Sequence, residues 1–282
     1  MPYTTLIQAT ELQPRIGSPD WLVIDTRHAL ADPQAGRTAY AAGHLPGAVF
    51  LHLDEELSSL RTGHNGRHPL PAREVFVATL ARLGVNATTQ VIVHDAQDSA
   101  MAASRLWWML RWVGHEAVAV LDGGVAAWLA AGGELTQTVP PARAPGDITL
   151  RASLAPTADA DAVLANLRTQ ARLVVDARGA DRFRGENETI DPVAGHIPGA
   201  RNRPFKDNLL PNGRFKPAAQ LREEYLALLQ GTAPDAVIAQ CGSGVTACHN
   251  LLAMEAAGLP GASLYPGSWS EWCSDPARPV AK

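Results

Sequence analysis

The sequence predicts an α/β protein built from two tandem copies of one domain, each a mostly parallel sheet flanked by helices. Three observations carry this. The chain repeats itself once, its apolar runs are too continuous for one-sided strands, and those runs alternate with segments of helical period. Leu-Val-Ile-Asp-Thr-Arg at 22–27 returns as Leu-Val-Val-Asp-Ala-Arg at 173–178, and Ala-Gly-His-Leu-Pro-Gly-Ala at 42–48 returns as Ala-Gly-His-Ile-Pro-Gly-Ala at 194–200. The offsets are 151 and 152 positions, so the spacing inside each copy also agrees. Two looser matches follow: Val-Ile-Val-His-Asp at 91–95 with Val-Ile-Ala-Gln-Cys at 237–241, and Leu-Asp-Gly-Gly at 121–124 plus Trp128 with Tyr-Pro-Gly-Ser at 265–268 plus Trp272.

Short β-branched runs predict strands over 21–24, 90–94, 117–121, 173–175 and 236–240. Between them, helical periodicity predicts helices over 72–83, 100–113, 218–229 and 246–257. Apolar strands that do not alternate with polar residues are buried on both faces, which is the signature of a parallel sheet under helices. Turn residues cluster at Gly132-Gly133, Pro140-Pro141 and Pro145-Gly146. The predicted division is therefore a first domain at 1–135, a linker at 136–155 and a second domain at 156–282.

With 282 residues the chain has room for two domains at about 150 residues each. Hydrophobic residues make up 46% and charged residues 18%, enough apolar material for buried cores and too much for disorder. A net charge of −4, from 24 basic and 28 acidic residues without a one-sign cluster, gives no electrostatic footprint for nucleic acid or an anionic membrane. The three cysteines, Cys241, Cys248 and Cys273, are too few for a disulfide framework and fit a reducing compartment. The first 15 residues lack a basic head with an apolar run, so a cytoplasmic protein is expected.

In parallel sheets ligands sit beyond the carboxyl ends of the strands, where the chain turns into a helix. Cys241-Gly242-Ser243-Gly244-Val245-Thr246 lies at such a junction. Two glycines let successive N–H groups converge, and a helix N-terminus adds positive potential, an environment that favours a thiolate. A small buried core residue is the commoner fate of a free cysteine. The place beside glycines at a strand end favours the reactive reading, which expects a reachable sulfur cupped by main-chain amides. Cys248 and Cys273 are expected to pack. A cysteine phosphatase would need arginine at the sixth position after the nucleophile, and that position is Ala247. His249, inside the following helix, is a weak base for papain-like chemistry. Cys241, Cys248 and His249 lack the paired spacings of a zinc site, so no metal is expected.

Across both copies, from Leu22 onward, the chain resembles the two-domain rhodanese sulfurtransferases. The resemblance rests on Asp25-x-Arg27 and Asp176-x-Arg178, both Gly-His-[Leu/Ile]-Pro-Gly-Ala segments, and Asp122-Gly-Gly with Trp128. The loop Cys-Gly-Ser-Gly-Val-Thr is similar to that of 3-mercaptopyruvate-type members, whereas thiosulfate-specialised members carry cations there. By resemblance, Cys241 carries a persulfide in a ping-pong transfer, supported by the loop 242–246: Gly242, Ser243, Gly244, Val245 and Thr246. The resemblance also implies that Ser243, His68 and Asp54 form a hydroxyl–His–Asp relay. The resemblance implies that Arg182 meets the donor's carboxylate; where many members carry a second arginine in an insertion this chain has Glu188-Thr-Ile-Asp-Pro, so either Arg184, Arg201 or Arg203 substitutes or the preference for mercaptopyruvate over thiosulfate is less sharp.

The first copy has Asp95 at the cysteine position and is expected to be catalytically silent, closing one side of a cleft. Arg27 and Arg178 are expected in fold-supporting ion pairs, His44 and His196 in turns, and Trp269 and Trp272 in packing beneath the loop. The implied activity moves sulfur from 3-mercaptopyruvate to a thiol or cyanide acceptor, a thioredoxin-like protein included, with no cofactor. The alternatives are a thiosulfate:cyanide sulfurtransferase and a non-enzymatic persulfide carrier.

Overall fold

The computed structural model describes residues 1–96 and 102–282. The chain divides into two compact units. The first comprises Met1–Ser59, Pro71–Leu154 and Leu210–Phe215, and the second Leu60–Leu70, Ala155–Leu209 and Lys216–Lys282.

In the first unit the elements run β1 (Leu6–Ile7), α1 (Ala9–Leu12), β2 (Trp21–Asp25), α2 (Ala35–Ala42), β3 (Val49–Phe50), α3 (Arg73–Arg82), β4 (Gln90–His94), α4 (Ala102–Trp112), β5 (Val118–Leu121) and α5 (Gly124–Ala130). The strands form one sheet, ordered β1-β5-β4-β2-β3, and every pairing is parallel. The runs Trp21-Leu-Val-Ile-Asp and Gln90-Val-Ile-Val-His pair in register, Trp21 with Gln90 through Asp25 with His94. Every residue of the second run is buried, as expected for a strand covered on both faces. The part of the predicted helix at 100 and 101 lies outside the described residues.

The second unit repeats the plan with α6 (Ala160–Thr169), β6 (Leu173–Asp176), α7 (Ala180–Phe183), β7 (Arg201–Asn202), α8 (Ala218–Leu229), β8 (Val237–Gln240), α9 (Thr246–Ala256), β9 (Ser263–Leu264) and α10 (Ser268–Trp272). Its parallel sheet is ordered β7-β6-β8-β9, and a parallel bridge from Thr157 to Leu264 occupies the place that β1 takes beside β5. Helix α6 starts where Asp159 caps it, its carboxylate accepting from the Ala162 N–H at 2.8 Å. Helix α8 starts after Pro217, which cannot continue a helix backwards, and ends at Gln230 in the left-handed conformation. Val163, Val174, Ile197, Ile238, Tyr265, Trp269 and Trp272 make the core between this sheet and its helices.

Both Asp-x-Arg elements do one job. Arg27 forks onto Asp25 at the end of β2 and donates to the Gly43 carbonyl at 2.7 Å, and Arg178 forks onto Asp176 and donates to the Gly195 carbonyl at 2.8 Å. Each ion pair ties a strand end to the following Gly-His turn. His44 then stacks on Tyr40 and His196 on Phe183, ring centroids 3.9 Å apart in both cases. The expected structural roles of these four residues agree with this geometry.

Of the predicted linker at 136–155, residues 136–154 belong to the first unit, with the backbone fastened: Gly146 N–H to Ala81, Ile148 to Val85, Arg151 to Val113 and Leu154 to Arg111. Prolines deny it a strand or helix, yet its amides find carbonyls on the helix ends beside it. Among the described residues no helix is long and apolar enough to cross a membrane.

In the second unit, Glu224 on α8 holds the segment after β7 through Arg203 at 2.6 Å and Lys216 at 2.9 Å. Burial pushes its carboxyl pKa up, but hydrogen bonds from Arg203, Lys216 and Gln220 outweigh that and bring it from 4.5 to about 2. Its stabilisation is therefore complete above about pH 4.5 and declines as pH falls towards 2. Glu224→Gln is expected to cost about 1–2 kcal/mol at neutral pH, with the difference from wild type shrinking below pH 4.5 in urea denaturation at stepped pH. A difference that stays constant down to about pH 3 would contradict this assignment.

Candidate active site

The loop after β8 is fixed from beneath by α10. Trp269 N–H donates to the Cys241 carbonyl at 3.0 Å and Ser270 N–H to the Gly242 carbonyl at 2.9 Å. The first unit has the same arrangement, with Val125 and Ala126 N–H on the carbonyls of Asp95 and Ala96. Asp95 therefore occupies the place of Cys241 in its own unit, as the internal repeat predicts. Ser268, in the left-handed region at φ 52°, accepts from the Cys241 N–H at 3.1 Å and donates to the Tyr265 carbonyl at 2.9 Å. A non-glycine residue in that conformation stores strain, and here its hydroxyl joins the strand end to the turn below it. Trp269 and Trp272 are buried under the loop, as expected.

With its carbonyls engaged below, the loop turns N–H groups the other way. Ser243 N–H points at the Cys241 sulfur, 3.4 Å from Sγ. Thr246 opens α9, and the first N–H groups of a helix have no partner within it. Gly244 makes the turn possible: its φ is +75°, and a Cβ there would collide with the Pro266 carbonyl. Gly242, Gly244 and Val245 are buried, and Thr246 is half-buried.

The sulfur is less open than the sequence predicts. Cys241 is 1% exposed, and the loop around it is buried as well. The reachable thiol expected from the sequence is corrected to a covered one, in a loop against which His68, Arg67 and Arg182 stand. His68, 2% exposed, places Nδ1 2.7 Å from Ser243 Oγ. Arg67 brings Nη2 to 2.9 Å, and Arg182 brings Nη1 to 3.6 Å, from the position a Cβ on Gly242 would occupy. Both guanidinium groups are held by Asp191, at 2.6 Å from Arg67 and 2.9 Å from Arg182. Arg182 also forks onto Glu188, whose Oε2 lies 3.0 Å from Nε. Burial raises the Glu188 pKa, but N–H groups of Asp191 and Ile190 and the Arg182 side chain outweigh it, so the carboxyl titrates below its usual range.

Arg67 and His68 belong to the segment Leu60–Leu70, which lies in the second unit although it is embedded in the first sequence copy. It docks through the Arg67 N–H on Ser270 Oγ at 2.9 Å and through Gly66, where a Cβ would come within 2.8 Å of the Gly267 carbonyl oxygen. The relay pair Ser243–His68 is thus brought together in one unit. Asp54 lies in the first unit beside His28 and His52, the three ligand-type atoms within 4.8 Å of one another. Both His52 nitrogens are engaged there, Nε2 on the Pro33 carbonyl and Nδ1 accepting from the Asp54 N–H, while burial lowers the His28 pKa.

None of the three arginines expected to complete a clamp with Arg182 stands at the loop. Arg184 pairs with Glu186 in solvent, Arg201 donates to the Leu228 carbonyl, and Arg203 serves Glu224 and Asn208. Arg67 stands there instead. Cys248 is buried with Sγ on the Gly244 carbonyl at 3.3 Å, Cys273 is buried with its thiol pKa raised by burial, and His249 lies against Asn208 and Phe205. Replacing Gly244 by alanine is expected to cost about 1–3 kcal/mol in chemical denaturation, through the left-handed φ and the Pro266 contact. An unchanged midpoint would show that the loop is not held as described.

Comparison with known proteins gives consistent results. The family model for the rhodanese-like domain matches residues 8–131 and 159–275. A protein of Pseudomonas aeruginosa named "Probable 3-mercaptopyruvate sulfurtransferase" is 48% identical over 278 residues, covering 98% of this chain and 97% of that one. The 3-mercaptopyruvate sulfurtransferase of Homo sapiens is 39% identical over 273 residues, covering 92% and 86%. A crystal structure of a 3-mercaptopyruvate sulfotransferase from Escherichia coli superposes with a TM-score of 0.80 at 32% identity, covering 95% of this chain and 99% of that one. The chain belongs to the rhodanese family, as a member with two rhodanese-like domains in tandem.

Proposed function

We propose that this protein is a sulfurtransferase that takes sulfur from 3-mercaptopyruvate onto Cys241 as a persulfide and passes it to a thiol or cyanide. The observation that carries the reading is the loop after β8, where a main-chain N–H addresses the Cys241 sulfur and a Ser243–His68 hydrogen bond stands beside it. The resemblance to proteins named for this donor supports it.

The first half-reaction balances without a redox partner. The Cys241 thiolate attacks the sulfur of HS–CH2–CO–COO⁻, the S–S bond forms, and the C–S bond breaks with its electron pair going to carbon as the pyruvate enolate. The thiol proton ends on that carbon, giving pyruvate and an anionic Cys241 persulfide. Loop amides stabilise the sulfur anion before and after the step. In this reading Ser243 and His68 take the proton from the donor thiol and return it to the enolate, a role that their 2.7 Å contact supports. In the second half-reaction an acceptor thiolate or cyanide takes the outer sulfur and restores the Cys241 thiolate.

Thiosulfate is the rival donor. Its transfer releases sulfite and moves no proton. Ser243→Ala and His68→Gln are therefore expected to lower kcat/KM for mercaptopyruvate by about 10²–10⁴ while affecting thiosulfate far less. Mass spectrometry is expected to find one added sulfur on the mercaptopyruvate-treated wild type and none on Cys241→Ser. A Cys241→Ser variant that still turns over, or a wild type that gains no sulfur from either donor, would overturn the reading.

A further inference from the structure

Arg67 and Arg182 offer donor groups that no described residue uses. Nη1 of Arg67 and Nη2 of Arg182 are taken by the two oxygens of Asp191, and the inner edge of Arg182 is taken by Glu188. Left over are Nε of Arg67, buried without a partner, its Nη2 facing Gly242, and Nη1 of Arg182 facing the same glycine. Two planar cations bridged by one carboxylate, with their unpaired edges converging on the residue after the nucleophile, form a fork for a small oxyanion. The chain supplies its parts from 124 positions apart.

The charge of this fork is cancelled locally. Arg67, Arg178 and Arg182 interact with Asp176, Glu188 and Asp191, three guanidinium groups against three carboxylates. Such a network keeps hydrogen-bond donors but little net potential. A dianion loses more hydration than a monoanion on entering it, and nothing in the network compensates the second charge.

We propose, resting on the sulfurtransferase reading above, that Arg67 is the second arm of a carboxylate clamp with Arg182. In the same proposal Asp191 is a positioning residue that aligns both guanidinium groups and sets donor choice, favouring a monoanionic 2-oxo acid thiol over dianionic thiosulfate. The segment at 188–191 supplies both acids of the site, Asp191 holding Arg67 from 60–70 and Asp191 with Glu188 holding Arg182.

Steady-state kinetics with both donors test this. Arg67→Ala is expected to raise KM for mercaptopyruvate about 10–100-fold, the loss falling on KM more than on kcat, and Arg67→Lys to recover only part because it lacks the fork. Asp191→Asn removes one negative charge and is expected to raise the ratio of kcat/KM for thiosulfate to that for mercaptopyruvate about tenfold. Thermal melts identify any variant that does not fold, and if Asp191→Asn is one, the Arg67→Lys and Arg67→Ala pair decides. A folded Arg67→Ala with KM within about twofold of wild type, or a folded Asp191→Asn with an unchanged donor ratio, overturns the clamp. A wild type that takes sulfur from neither donor overturns instead the functional reading on which the clamp rests.

Discussion

Two main-chain hydrogen bonds, from Trp269 and Ser270 of α10 to the carbonyls of Cys241 and Gly242, decide what the loop after β8 can do. A peptide group whose carbonyl is fixed on one side presents its N–H elsewhere, and here the free direction is towards the cysteine sulfur. The left-handed Gly244 lies in the turn that leads into α9, and the strained Ser268 opens α10 with its hydroxyl on the strand end. The same pair of bonds recurs in the first unit beneath Asp95, so the scaffold is shared and only the residue it presents differs. A carboxylate at that place cannot carry a sulfane sulfur.

Around this scaffold the site trades openness for order. Polar side chains stand beside a loop whose sulfur is almost wholly buried, and each is held by a named partner: Arg67 and Arg182 by Asp191, Arg182 by Glu188, His68 by Ser243. Buried ions are costly unless paired and hydrogen-bonded, so the carboxylates are what permit two guanidinium groups to wait beside the loop without a ligand. A donor anion can then take over contacts that are geometrically ready, with few side chains left to order.

Much of this was legible in the sequence, and the part that was not has a common cause. Strands such as Gln90–His94 and helices such as Ala218–Leu229 fall where hydrophobic period put them, because their signal is local. The repeat identified Asp25, Arg27, Asp176 and Arg178 as one device used twice. Two-residue strands such as Val49–Phe50 and Ser263–Leu264 have no period to detect, since their pairing is fixed by the sheet. Arg67 was missed because its partner Asp191 is 124 positions away and an isolated arginine beside glycine reads as solvated loop. Segment 60–70 likewise sits inside one sequence copy and folds with the other, which no internal offset reveals. The family resemblance supplied His68 and Ser243, and the 2.7 Å contact between them is the structural counterpart of that expectation.

The central claim is that the loop holds a second sulfur on Cys241 among its own main-chain amides. A crystal structure of the protein after treatment with mercaptopyruvate addresses it directly. The account predicts one additional sulfur bonded to Cys241 Sγ, within hydrogen-bonding distance of the Ser243 N–H and of neighbouring loop amides. An unmodified Cys241, or added sulfur on Cys248 or Cys273 instead, would contradict it.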